Sequence, residues 1–440
     1  MKRRAFFLGL PLTALAGAGR TELLVSSATG LTTINPPAID LKRSAAKRLA
    51  TQKGISMNIH SWQPPADPLM IADLRRRLAE TRWADRVTDD WAYGTAPQAL
   101  RELVNHWQSG YDWTQATARL RALPHFRAEI DGFGIHFLHF KGRGPAPQPL
   151  LLMNGWPSSF VEYAKLAPML ADPAGQGGNA ADAFDVVVPA HPGFGYSDRP
   201  TTPNQVDTVD LFHRLMTEGL GYDTFIASGT DIGSGVATRM ALKYPASLRG
   251  IHISALVDPP QSPEAPIAPP LSEAERAYVK SVQTWREDEG AYMHMQSTRP
   301  QTLAYGLNDS PSGLASWIVE KFHFWSDTGA ELFAVFPKDM LLDNVSLYWA
   351  TQTVASSMRY YYEARHFRAP LRIGDRVSAP TAVCMWPKDL VVGPKEYAQR
   401  FYNVRQYNLQ PHGGHFPAWE RPDLYAQDLR KFRRALDNKS

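Results

Sequence analysis

Three residues of this chain have the types and the order that covalent hydrolysis requires: Asp231, Asp389 and His415. Asp231 lies in Gly229-Thr230-Asp231-Ile232-Gly233-Ser234, the small-x-nucleophile-x-small-small shape of a nucleophile elbow, with a carboxylate where a serine usually stands. An aspartate there needs no base to activate it: it is an anion at neutral pH and can attack carbon directly, leaving an ester on the enzyme. Such an ester is cleared by water, which needs a histidine to take its proton and an acid to orient the histidine. His415, in Pro411-His412-Gly413-Gly414-His415-Phe416, is the histidine in the right place, with His412 its local competitor. Asp389, in Trp386-Pro387-Lys388-Asp389, is the acid, and Asp339 in Phe336-Pro337-Lys338-Asp339 is a decoy that does not follow a strand.

These residues need elements to hold them. A Gly-x-Asp-x-Gly run alone is an ordinary turn, but this one follows the apolar run Thr224 to Ser228, a buried strand, and precedes Val236 to Lys243, a helix that ends before Pro245. Bulk at Gly229 or Gly233 would collide with neighbouring backbone in so sharp a turn. Val404 to Leu409 reads as the strand before His415, and Thr381 to Trp386 as the one before Asp389. Further apolar runs, Pro149 to Met153, Phe184 to Val188 and Gly250 to Ile253, fit a mostly parallel sheet with helices on both faces. Ile135 to Phe140 reads as another strand.

A second turn, Asn154-Gly155-Trp156-Pro157, follows a strand directly. The Trp156 amide, joined by that of Ile232, could form an oxyanion hole. The turn from His191 to Ser197 is expected to be structural and to shape the pocket floor.

Along the chain, 57–127 forms an N-terminal segment with helical periodicity in Pro68 to Leu78 and Gln98 to Trp107, its aromatic stripe read as packing. The spans 128–258 and 371–440 read as the two parts of an α/β core, and 259–370, entered through a Pro-rich stretch, as a helical cap inserted between them. Lys2-Arg3-Arg4 before Ala5 to Leu10 resembles a twin-arginine export signal over 1–20, followed by a leader over 21–56. Export would place the enzyme in the periplasm or outside the cell; translation from Met57 would leave it in the cytoplasm. No long apolar run predicts a stable membrane span.

The 47 basic and 43 acidic residues are interspersed, which gives no footprint for nucleic acid. The single cysteine, Cys384, excludes an intrachain disulfide and reads as a core residue. No CxxC or HExxH pattern implies a metal, and the chemistry calls for no cofactor.

With these motifs in view, the chain resembles the microsomal and juvenile-hormone type of epoxide hydrolase, within the α/β-hydrolase superfamily, from about residue 58 to about 436. The resemblance is carried by the N-terminal Trp/Arg segment, the elbow, the Gly-Gly-His end and, in the cap, Gly290 to Gln296, Leu307 to Leu314 and Ile318 to Phe322. It implies that Asp231 opens an epoxide, that His415 activates water and that Asp389 orients His415. It further implies that Tyr292 and Tyr361 hold the epoxide oxygen and give it a proton, with Tyr360 and Tyr362 one residue away from the second of these. The implied partner is a small apolar epoxide; a homo-oligomer stays open.

Two positions depart from the family pattern. Asn154 stands where the turn normally begins with His, and Ile232 where Trp normally follows the nucleophile. Two other functions therefore stay in view. A haloalkane dehalogenase would share the aspartate elbow, but Ile232 cannot hold halide as a Trp there does. A catalytically weak ligand-binding relative would keep the pocket, with Asn154 as its support.

Overall fold

The computed structural model describes residues 57–65, 67–256, 269–329, 331–372 and 374–438. The export signal and leader expected over 1–56, and most of the Pro-rich cap entry, lie outside the described residues.

The apolar runs assemble into one nine-stranded sheet in the order β1-β2-β3-β5-β4-β6-β7-β8-β9. The strands are β1 (Asn58–Ser61), β2 (His125–Ile130), β3 (Phe133–Phe140), β4 (Gln148–Met153), β5 (Phe184–Pro189), β6 (Phe225–Gly229), β7 (Leu248–Ile253), β8 (Val377–Met385) and β9 (Tyr402–Leu409). Pairing is antiparallel from β1 to β5 through β2 and β3, and parallel from β5 to β9. This is the α/β-hydrolase arrangement expected from the sequence. The antiparallel edge was not legible as such: β1 lies in the 57–127 segment read as helical, and β2 straddles its end. What closes the β2–β3 hairpin is Asp131-Gly132, both at positive φ, the two-residue turn that suits the twist of paired strands.

Strand alternation sends neighbouring residues into two cores. Leu150 and Leu152 of β4 point into one, Leu151 and Met153 into the other, as do Val186 and Val188 against Val187 in β5. The first core continues into the cap through Ile318, Phe322 and Tyr348, and into the N-terminal segment through Leu74, Leu103 and Trp107. Trp107 is fully buried, with its indole N–H donated to Ser346 Oγ at 2.9 Å. The aromatic stripe of the N-terminal segment therefore packs against the cap.

Local signals start the helices. Asp67 caps Pro68–Ala79 by accepting from the amides of Leu69 and Met70, and Asp112 caps Trp113–Arg121 in the same way. Ser272 and Glu275 form a reciprocal capping box at the first cap helix, Glu273–Asp288. The helix expected to run through Trp107 ends instead at Asn105 and continues as a single wider turn, His106–Gly110, which closes on a bond from Tyr111 N–H to His106 O. None of the described helices is long and apolar enough to cross a membrane.

Candidate active site

Asp231 stands between β6 and the helix Ile232–Lys243 at φ 47° and ψ −119°, a backbone conformation that costs a non-glycine residue energy. The close packing expected of the elbow is present. A Cβ on Gly229 would lie 2.2 Å from the carbonyl carbon of Gly233, and one on Gly233 would lie 2.3 Å from Met153 O. Ser234, the serine near the apex, is buried and donates to Gly229 O at 2.7 Å, so it is occupied structurally.

The Trp156 amide donates to Asp231 Oδ1 at 3.1 Å. The turn can come this close because residue 155 is glycine: a Cβ there would fall 2.1 Å from the same oxygen. Ile232 opens the following helix, where amides have no acceptor within the helix. Asn154 donates its side-chain amide to Gly155 O at 2.9 Å, and its own carbonyl meets His191 Nε2 at 2.9 Å. The turn thus braces itself through Asn154 and leans on His191 from beneath.

His415 and Asp389 meet on the opposite side. His415 Nδ1 lies 2.6 Å from Asp389 Oδ1, and Nε2 lies 3.6 Å from Asp231 Oδ2 with no hydrogen-bond partner of its own. Asp389 Oδ1 also accepts from the Leu390 amide at 2.7 Å. Burial by itself would push the imidazole down, but Asp389 and then Asp231 outweigh it and hold it up at about 10. His412 is exposed, and Asp339 pairs with His106 at 2.7 Å, so neither of the two rival residues joins the cluster. Asp231, Asp389 and His415 border a cavity of about 70 Å³, well above the ~10–15 Å³ that one water needs.

The cap closes the site with aromatic rings. Tyr292, from the helix Ala291–Thr298, stacks on Trp156 with ring centres 5.4 Å apart. Tyr361, from the helix Val354–His366, meets Trp156 edge-on at 6.2 Å and Tyr292 at 6.0 Å. Both phenols are pushed up, Tyr292 by burial and then by Asp231, Tyr361 by burial and then by Tyr292 and Asp231. Both therefore stay protonated, close enough to Asp231 to feel its charge.

The chain is similar along most of its length to proteins already known. Residues 60–163 match the family described as epoxide hydrolase N terminus, and residues 148–422 match the alpha/beta hydrolase fold. A Stigmatella aurantiaca protein with a provisional epoxide hydrolase name is 42% identical over 371 residues, covering 83% of this chain and 82% of its own. Epoxide hydrolase 1 of Sus scrofa is 32% identical over 397 residues, covering 83% of this chain and 87% of its own. The crystal structure of juvenile hormone epoxide hydrolase from the silkworm Bombyx mori superposes with a TM-score of 0.74 at 28% identity, covering 87% of this chain and 95% of that one. The chain belongs to the epoxide hydrolase family.

In this family member several groups escape a reading of the sequence. Glu162 is buried and takes a 2.6 Å bond from Ser158 Oγ, a residue of the Trp156 turn; burial pushes its carboxyl up to about 7. Glu420 accepts from the amides of Asp327 and Phe416, at 2.8 and 3.0 Å, and burial pushes it up to about 7 as well. Lys321 is buried beneath Tyr292, 5.1 Å from the ring centre, and pairs with Glu320. A charged residue in an otherwise apolar stretch was the available signal for Glu162 and Lys321. Glu420 gave none, because one of its two amide partners, that of Asp327, comes from a distant cap loop.

Proposed function

We propose that this epoxide hydrolase works through an ester on Asp231 that His415-activated water then cleaves. What supports this reading is the two-sided setting of one carboxylate: Oδ1 rests on the Trp156 amide, and Oδ2 points toward His415 Nε2. Oδ2 attacks a ring carbon, the new C–O bond forms as the ring C–O bond breaks, and the alkoxide takes a proton from Tyr292 or Tyr361. A phenol does this without bringing a charge into the pocket.

The same geometry gives His415 a change of role. Before attack, two carboxylates face its ring and favour the imidazolium. Once Asp231 is an ester, one of those charges is gone. The imidazolium then gives up its proton more readily, that proton returns the tyrosinate left by ring opening to a phenol, and the neutral imidazole takes one from water. The water oxygen adds to the ester carbon, and the amides of Trp156 and Ile232 hold the resulting oxyanion. Collapse breaks the ester bond, releases a vicinal diol and restores the carboxylate. Asp389 holds the ring and stabilises the imidazolium that forms. Trp156, Trp325 and the two tyrosine rings around the site favour an apolar epoxide.

The decisive experiment is intact-protein mass spectrometry of a His415→Ala variant mixed with aryl and alkyl epoxides. The expected result is a stable adduct with the mass of one epoxide, absent when Asp231 is also changed to Ala. Addition of haloalkanes with loss of halide, and none of epoxides, would replace this reading with dehalogenation. Arg3 and Arg4 support export by the twin-arginine route; a Lys substitution of both that leaves the enzyme's cellular location unchanged would remove that support.

A further inference from the structure

A second cavity, of about 450 Å³, lies between the cap helix Val354–His366 and the elbow helix Ile232–Lys243 and contains none of Asp231, Asp389 and His415. Its size is in the range of small-molecule sites, ~300–1,000 Å³. Its walls combine apolar groups, such as Val209, Val236, Leu242 and Phe367, with four arginines: Arg239, Arg359, Arg368 and Arg372.

Those arginines lack acidic partners. Among the described residues, no salt bridge joins any of the four to a carboxylate. Arg239 donates to Ala369 O at 2.9 Å and Arg359 to Pro200 O at 3.2 Å. Arg368 lies over the ring of Tyr360, 3.9 Å from its centre. Burial and then Arg368 pull the Arg239 guanidinium down, against a weaker upward pull from Tyr360, Asp207 and Asp375. The acidic groups nearby offset them only in part: Asp207 and Asp375 act on Arg239, and Glu363 feels Arg359 and Arg368. Lys243 and Asp207 pair with each other at 3.6 Å, Asp375 takes the backbone amide of Arg372, and burial pushes Glu363 up.

A separate observation points to a ligand. Tyr360 is only 8% exposed, lines this cavity, and its hydroxyl has no hydrogen-bond partner. A buried hydroxyl without a partner is destabilising, and an acceptor arriving in the cavity would satisfy it.

We propose that this cavity is a binding site for a monocarboxylate with an apolar tail, the carboxylate held by Arg368, Arg239 and the Tyr360 hydroxyl. Guanidinium groups bind carboxylates through paired N–H donors, and the Val, Leu and Phe side chains cover the tail. The site is independent of the hydrolytic chemistry: Tyr360 faces it while Tyr361, next on the same helix, faces Trp156 and Tyr292.

The test is titration calorimetry of the full chain with dodecanoate, kept below the concentration at which it aggregates. One dodecanoate is expected to bind per chain, and dodecan-1-ol and inorganic phosphate at least about tenfold more weakly. Arg368→Gln and Tyr360→Phe should each weaken dodecanoate at least about tenfold, whereas Asp231→Asn should leave it unchanged. Arg372→Gln, at an exposed position, serves as the variant whose folding is least at risk and should weaken binding in the same direction. Absence of one-to-one binding would overturn the proposal. So would binding that survives all three cavity substitutions, that Asp231→Asn abolishes, or that phosphate matches.

Discussion

Two buried histidines in this molecule each lean on an aspartate, and they have opposite designs. His252, at the end of β7, has both ring nitrogens engaged, Nδ1 with Ser228 Oγ at 3.1 Å and Nε2 with Asp428 Oδ1 at 3.0 Å. Ser228 Oγ continues to Tyr425 OH at 3.1 Å, and Asp428 also accepts from Gln406, Asn408 and Gln410. His415 has the shorter aspartate contact, 2.6 Å, but its other nitrogen, 3.6 Å from Asp231 Oδ2, has no hydrogen-bond partner, and the residue borders a cavity. Serine, histidine and aspartate are thus together at His252 with no chemistry to do. Reactivity requires one nitrogen left unsatisfied in front of space, and rigidity requires every lone pair used.

Asp389→Asn is the strongest way to break this contrast. An amide at 389 can donate to His415 Nδ1 and so favour the wrong tautomer. It also removes the larger of the two carboxylate influences on the ring. Turnover should fall about 10⁴-fold, as for the aspartate of a serine triad, with circular dichroism unchanged. The counterpart, Asp428→Ala, should do the reverse. It leaves His252 Nε2 without its acceptor in the core and takes one acceptor from Gln406, Asn408 and Gln410, so unfolding should become easier by about 3–5 kcal/mol, while turnover per folded molecule stays within about twofold. Comparable losses of turnover in the two variants would erase the distinction. Tyr292→Phe sits between them: with Tyr361 still able to donate, epoxide opening should slow about 10²-fold in single-turnover kinetics.

The comparison also shows what a sequence can disclose. Asp231 and Asp389 were legible because each follows a strand, and a parallel sheet delivers the ends of its strands to one edge. Asp339 has a similar Pro-Lys-Asp context but begins a cap helix, so it goes to His106. The run Arg359 to Glu363 could not by itself say which tyrosine faces the site, since neighbours on a helix point about 100° apart. The structure sends Tyr361 toward Trp156 and Tyr360 toward the arginines. His252 read only as part of an apolar strand, and its network needs side chains from β6, β9 and the last helix. Such contacts depend on the whole topology, which no local pattern encodes.

Glu420→Gln makes the smallest change and tests whether His415 owes its place to the cap. The histidine loop is tied to the cap loop at several points: His415 N–H donates to Trp325 O at 2.7 Å, and Gly413 N–H to Asp327 Oδ2 at 3.1 Å. A Cβ on Gly414 would lie 2.6 Å from Ser326 Cα, so the two backbones are in direct contact there. Glu420 completes the join with one oxygen on each loop, and glutamine can supply only one of the two, at a cost of about 1 kcal/mol. The pH dependence separates this from a simple loss of packing. Burial raises the folded carboxyl from 4.5 to about 7, so the folded state favours the protonated form. The stability this contributes is fully present below 4.5 and is lost as pH rises through about 7. Glutamine cannot ionise, so the decline in melting temperature between those pH values should be shallower in the variant. Turnover should fall only a few-fold, about 1 kcal/mol, because Asp389 still orients the ring. Parallel melting curves across that range would mean that Glu420 does not titrate there, and unchanged turnover would mean that the cap contact does not position His415.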